Sequence, residues 1–339
     1  MADDLDRLVD EIVKKVRDRL LAQGLRLSEK DIRPELEKAF SGPVDIRALV
    51  QNGAARIGTS SDTLQHGAHS SKELASMIDH TLLKQDATEA DVKKLCEEAR
   101  KHKFATVCLN SAFIAKAAQL LKGSGVKPIA VVGFPLGAGT TAAKSFEARE
   151  AIQNGAQEID MVINVGEMKS TNYSFVLEDI RGVVEASKPF PVKVILETSL
   201  LDYEQKTIAC ALSKAAGAAF VKTSTGFASG GATAEDIALM RKIVGPEMGV
   251  KASGGIRTTE DAERMIQAGA TRIGASASVA IVEHAGETAK KADSGQKDSK
   301  NKNRKPFAGL PYKAGGGTEP KKPPKGGSSG GSGSKGGGY

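Results

Sequence analysis

Between residues 72 and 288, short apolar runs rich in β-branched residues alternate with longer helical stretches. This rhythm restricts the chain to a parallel sheet with helices packed outside it. The runs lie at Met77–Leu82, Ala105–Leu109, Pro128–Val132, Glu158–Ile163, Val192–Leu196, Ala218–Val221, Gly249–Lys251 and Thr271–Ile273. Helical stretches include Ala90–Lys101, Ala142–Asn154, Tyr173–Ser187, Tyr203–Ala216, Ala234–Val244 and Thr259–Ala268. Four of them stop at a glycine just before the next strand: Gly155, Gly217, Gly245 and Gly269. That pattern reads as a helix C-cap followed by a tight turn. Eight strands over this length predict a (β/α)8 TIM barrel, with a doubly wound open sheet as the alternative. No Gly-x-Gly-x-x-Gly follows the first strand, which disfavours the dinucleotide-binding form of that alternative.

Aromatics make up 4% of the 339 residues and Trp is absent, so aliphatic side chains must do the packing. No apolar run reaches the ~18–20 residues of a membrane span. The opening Met-Ala-Asp-Asp lacks a basic stretch followed by an apolar one, so no secretory signal is expected. Three widely spaced cysteines (Cys96, Cys108, Cys210) predict a reducing, cytoplasmic setting and no disulfide scaffold. The net charge of +7 is unevenly spread. Residues 290–339 hold 12 Lys+Arg against three acids, a balance of +9, and the other 289 residues carry −2. The basic character therefore belongs to a Lys-, Gly-, Ser- and Pro-rich tail (289–339), expected to be disordered, and no specific nucleic-acid partner is expected.

In a barrel of this kind the chemistry sits at the C-terminal ends of the strands. Four charged residues interrupt apolar runs there: Asp79, Asp160, Lys222 and Lys251. A lone lysine at a strand end usually reaches solvent, but two lysines and two aspartates on four strands of one barrel point to a site. Burial and a like-charged neighbour both lower a lysine pKa. A neutral lysine is a nucleophile toward carbonyl carbon and forms Schiff bases, and Asp160 is placed to relay protons. Gly254-Gly255 after strand seven and Gly274-Ala275-Ser276 after strand eight occupy the loops where such barrels bind phosphate. The five histidines form no ligand constellation, so metal catalysis is not expected.

Segments 78–84 (Ile-Asp-His-Thr-Leu-Leu-Lys), 131–137 (Val-Val-Gly-Phe-Pro-Leu-Gly), 158–166, 220–227 and 249–257, in that order, resemble the deoxyribose-phosphate aldolase family. The resemblance runs from Leu82 to Ile281, with Ile78–Leu82 leading into it. It implies a cofactor-free class I aldolase that reversibly cleaves 2-deoxy-D-ribose 5-phosphate to D-glyceraldehyde 3-phosphate and acetaldehyde. It further implies Lys222 as the Schiff-base lysine, Lys251 as the lysine that tunes it, Asp160 as the proton relay, and Asp79 as support for that network. Gly254, Gly255 and Ser276 match phosphate-binding loops. Two positions depart from some relatives: Ala277 stands in place of a second serine, and Phe227 in place of a lysine. Cys108 matches a cysteine that some relatives carry near the site. Other readings are another phosphate-binding barrel aldolase, or an inactive scaffold or cargo protein.

Two extensions flank the barrel. In residues 1–24, Leu5, Leu8, Val9, Ile12, Val13, Val16 and Leu20 fall on one helical face, and Gly24 ends the pattern. This helix either packs on the barrel or pairs two subunits, as in a homodimer. It also resembles the encapsulation peptides that dock enzymes on shell proteins of bacterial microcompartments. Residues 25–71 read as a linker with a short helix. Residues 50–61 echo 266–277, an echo with no functional account. Some relatives end in a tyrosine on a flexible tail that enters the active site, a role Tyr339 would match.

Overall fold

The computed structural model describes residues 69–285. The sequence readings at 1–24, 50–61, 289–339 and Tyr339 lie outside the described residues, as does most of the 25–71 linker. Eight strands form one closed, all-parallel barrel in chain order: β1 (Ile78–Leu82), β2 (Thr106–Leu109), β3 (Lys127–Val132), β4 (Glu158–Val162), β5 (Val192–Ile195), β6 (Phe220–Lys222), β7 (Gly249–Ser253) and β8 (Arg272–Ala275). β8 pairs with β1, so the sheet has no free edge.

The helices around it are α1 (Ser71–Ser76), α2 (Glu89–His102), α3 (Ile114–Leu121), α4 (Thr141–Gln153), α5 (Val165–Lys169), α6 (Tyr173–Ser187), α7 (Tyr203–Ala215), α8 (Ala234–Val244) and α9 (Thr259–Gln267). Their starts are written in local chemistry. Thr88, Asp202 and Thr258 form capping boxes with Asp91, Gln205 and Asp261. Of the anticipated C-cap glycines, Gly155 and Gly269 take φ of +104° and +114°, and the following amides donate back to Ala151 O and Met265 O (2.9 Å each). The sequence reading named no helix at α1, α3 or α5. α1 is short, but its Ser70/Glu73 capping box was present in the sequence, and Leu74 anchors it in the core.

The strands separate two interiors. Val107, Ile159, Met161, Val194, Val221 and Val250 belong to the apolar layer between sheet and helices. Leu83, Cys108, Ile129 and Val131 form a second, small cluster. Between α4 and α6, buried Lys144 pairs with buried Asp179 (2.6 Å) and donates to Val162 O (3.0 Å), and Thr141 Oγ1 donates to Asp179 Oδ1 (3.0 Å). Among the described residues no helix is long and apolar enough to cross a membrane.

Removing one partner of that pair strands a buried charge. Asp179→Ala is expected to cost about 3–5 kcal/mol, read as a Tm lower by ~10 °C. The joint change Lys144→Met with Asp179→Leu should recover most of the loss in the same melting experiment.

Candidate active site

Strand register decides which side chains meet inside the barrel. Lys222 pairs with Lys251 across β6 and β7, Lys251 with Arg272 across β7 and β8, and Asp160 with Lys193 across β4 and β5. All four residues singled out from the sequence converge. Lys222 Nζ lies 2.9 Å from Asp160 Oδ2, and Lys251 Nζ lies 2.7 Å from that same oxygen and 2.5 Å from Asp79 Oδ2. Lys222 is 3% exposed and the other three are fully buried. β6 and β7 each run past the point the sequence suggested, so Lys251 sits mid-strand, with Ser253 ending β7. The cluster thus lies within the barrel, below its rim.

Four partners escaped the sequence reading. Lys193 Nζ contacts Asp160 Oδ1 (2.9 Å) and Glu158 Oε2 (2.5 Å). Arg272 Nη1 contacts Asp79 Oδ1 (2.7 Å) and Glu158 Oε2 (3.1 Å), and Thr106 Oγ1 donates to Asp79 Oδ1 (2.6 Å). The search was aimed at strand ends, whereas Glu158 and Arg272 open their strands and Lys193 is second in its own. The available signal was alternation: Lys193 interrupts Val-Lys-Val-Ile, and Glu158 stands two residues before Asp160, on the same face.

This crowding sets the charge states. Burial raises the carboxyl pKa of Asp160, but Lys193, Lys222 and Lys251 outweigh it and hold Asp160 well below the carboxylate range. Asp79 is likewise driven down by Lys251 and Arg272 against its burial. The two lysines part company. Burial pulls Lys222 below the ordinary lysine value, with Lys251 adding to it and Asp160 opposing. Lys251 is equally buried, yet two carboxylates, Asp160 and Asp79, hold it above that value. Desolvation, more than the cationic neighbour, is therefore the larger cause at Lys222. Burial also pushes the Cys108 thiol up to about 11, which suits a packing residue more than a nucleophile.

Lys222 opens into a cavity of about 560 Å³ that Gly254, Gly255, Gly274 and Ser276 also line. Gly254 and Gly255 take φ of +88° and +81° in the β7–α9 loop. Ser276 is exposed, and a helix begins two residues later, at 278. Gly274 lies inside β8, where an added Cβ would come within 2.9 Å of Lys251 Cε. Its immediate consequence is room for Lys251. Lys84 and Arg257, not singled out beforehand, bring positive charge to the same cavity. Among the described residues no group of three or more His, Cys, Asp or Glu is arranged to hold a metal ion.

Residues 74–286 match the profile of the DeoC/LacD family aldolases. The chain belongs to this aldolase family. A deoxyribose-phosphate aldolase of Clostridium perfringens is 59% identical over 213 residues, covering 62% of this chain and 95% of that protein. One from a Geobacillus species is 60% identical over 211 residues, covering 62% and 95%. Among solved structures, a putative deoxyribose-phosphate aldolase from Coccidioides immitis aligns with a TM-score of 0.63 at 41% identity, covering 71% of this chain and 98% of that one. A tetrameric deoxyribose phosphate aldolase from Aeropyrum pernix aligns with a TM-score of 0.62 at 36% identity, covering 71% and 97%.

In this DeoC/LacD aldolase, Gly274→Val should displace Lys251 from Asp160 and lower kcat by about 10²-fold, the scale of a 1 Å misplacement of a catalytic group. Steady-state kinetics alongside a circular dichroism spectrum separate that effect from unfolding.

Proposed function

We propose that this aldolase reversibly cleaves 2-deoxy-D-ribose 5-phosphate into D-glyceraldehyde 3-phosphate and acetaldehyde through a Schiff base on Lys222. The observation that carries the reading is the opposed environment of two lysines in register: Lys222 held below its ordinary pKa, Lys251 held above. Environments that drive paired titratable groups apart assign their roles. The uncharged amine of Lys222 is the nucleophile, and Lys251 is the permanent cation. The Clostridium perfringens and Geobacillus relatives bear the name of this activity.

The Lys222 nitrogen attacks C1 of the open-chain sugar, and the carbinolamine loses water to give an iminium. The iminium draws the electron pair of the C2–C3 bond toward nitrogen while the C3 hydroxyl gives up its proton. Carbons 3–5 leave as D-glyceraldehyde 3-phosphate, and carbons 1 and 2 remain as an enamine. Protonation at C2 and addition of water release acetaldehyde and restore the amine. Asp160 Oδ2 contacts both lysine nitrogens, so its fixed negative charge favours the iminium and a water on it can carry each proton. Asp79 holds Lys251 in place. The phosphate is received by Gly254, Gly255 and Ser276 before the helix that opens at 278, with Gly274 beneath them. Lys84 and Arg257 supply charge that Ala277 and Phe227 do not.

Treatment with acetaldehyde and borohydride should leave an ethyl group on Lys222, mapped by peptide mass spectrometry. Lys222→Ala should stay folded and release no acetaldehyde from deoxyribose phosphate, and Asp160→Asn should lose about 10²–10⁴-fold in kcat. Wild-type activity should fall as pH drops through the lowered Lys222 pKa, because protonation removes the nucleophile. A wild type without adduct or turnover is a scaffold. Turnover on another sugar phosphate alone assigns a different aldolase.

Residues 1–24 carry a separate reading: an apolar stripe that docks the enzyme on a microcompartment shell protein, which would confine volatile acetaldehyde. Their deletion should leave turnover intact and abolish co-sedimentation with shell protein. Unchanged co-sedimentation would assign the stripe to packing or subunit pairing.

A further inference from the structure

At the N-terminal end of the barrel interior lie charged groups that the reaction as written does not use: Glu158 opening β4, Lys193 in β5 and Arg272 opening β8. Followed contact by contact, they join the site in a loop. Asp79 meets Lys251 at 2.5 Å, Lys251 meets Asp160 at 2.7 Å, and Asp160 meets Lys193 at 2.9 Å. Lys193 meets Glu158 at 2.5 Å, Glu158 meets Arg272 at 3.1 Å, and Arg272 returns to Asp79 at 2.7 Å. Six charges alternate in sign and cancel. Lys222 hangs from Asp160 at 2.9 Å as a seventh member.

We infer that Glu158 and Arg272 are positioning residues for the aldolase, closing a neutral ring of alternating charges that leaves Lys222 as the surplus cation of the network. The inference rests on the Schiff-base reading of Lys222. In a water-poor interior a surplus charge is costly, and the group that can shed it does so. Arg272 is unable to deprotonate, and Lys251 is held by two carboxylates. Lys193 is likewise held by two, Glu158 and Asp160, whereas Lys222 contacts Asp160 only, through the oxygen it shares with Lys251. The lowered pKa of Lys222 beside the raised one of Lys251 agrees with this placement. Phe220 seals the same end: its ring lies 5.3 Å from Arg272 Cζ and 5.7 Å from Lys193 Nζ.

The titratable groups around Lys222 are Asp79 on β1, Cys108 on β2, Glu158 and Asp160 on β4, Lys193 on β5, Lys251 on β7 and Arg272 on β8. Lys84 and Arg257 stand on the cavity wall, and Glu197, past β5, is bonded to Thr225. Against this fixed background, the two positioning residues carry opposite charges and must act with opposite sign. Losing the Glu158 carboxylate makes the interior more positive and favours neutral Lys222 at lower pH. Losing the Arg272 guanidinium makes it more negative and favours protonated Lys222.

The test is the pH dependence of borohydride trapping of acetaldehyde on Lys222 in the full chain. The acid-side midpoint should fall in Glu158→Gln and rise in Arg272→Gln, each on the order of one pH unit, the scale of one charge in a partly screened interior. The double variant, neutral again, should return to the wild-type midpoint. Arg272→Lys should also keep it. Midpoints that move together or stay put, or a double variant displaced like Glu158→Gln, overturn the ring. If Arg272→Gln and the double variant fail to fold, Glu158→Gln read against Arg272→Lys still decides: an unmoved Glu158→Gln midpoint overturns it. Absence of any Lys222 adduct in the unsubstituted chain instead overturns the Schiff-base reading.

Discussion

The carboxylate of Asp160 receives three lysine nitrogens at once, at 2.7–2.9 Å, with no measurable exposure to solvent. Such a concentration of buried charge would destabilise an isolated element, because desolvation commonly exceeds the Coulombic return unless every group is matched. The barrel makes the matching feasible. Closure places β1, β4, β5, β6, β7 and β8 around one axis, and the register of each pair turns one charged side chain inward beside another of opposite or modulated charge. The reacting lysine is therefore a product of the whole ring of strands.

The remaining architecture keeps that interior in place. Aliphatic residues facing the helices form the larger core, in keeping with a sequence short of aromatics. Helix caps and positive-φ glycines mark where several of the crossovers begin and end. A second buried ion pair, Lys144 with Asp179, ties α4 to α6 outside the sheet. It is the same physics applied to scaffold instead of chemistry.

Much of this was legible in the residues. Period-2 and period-3.6 patterns placed all eight strands, and the six named helices fell within a residue of their observed ends, because capping side chains and C-cap glycines are local signals. Asp79, Asp160, Lys222 and Lys251 stood out because charge in an apolar strand is costly and needs a reason. Glu158, Lys193 and Arg272 carry the same cost, but they sit at strand starts, where a sequence offers solvent as an easy explanation. Only register across the closed sheet reveals that they face inward. The parting of the two lysine pKa values was illegible for a similar reason: it depends on Asp79 reaching Lys251 and not Lys222, a distance no spacing encodes.

The contact between Arg272 on β8 and Asp79 on β1 spans 193 residues of chain and forms only where the first and last strands meet. The charge network around Lys222 is therefore closed only when the barrel itself is closed. A nascent chain still lacking its eighth strand, or a proteolytic fragment shorn of its first, holds Lys222 and Asp160 but not their full electrostatic setting. That setting is complete only once synthesis has passed the final strand.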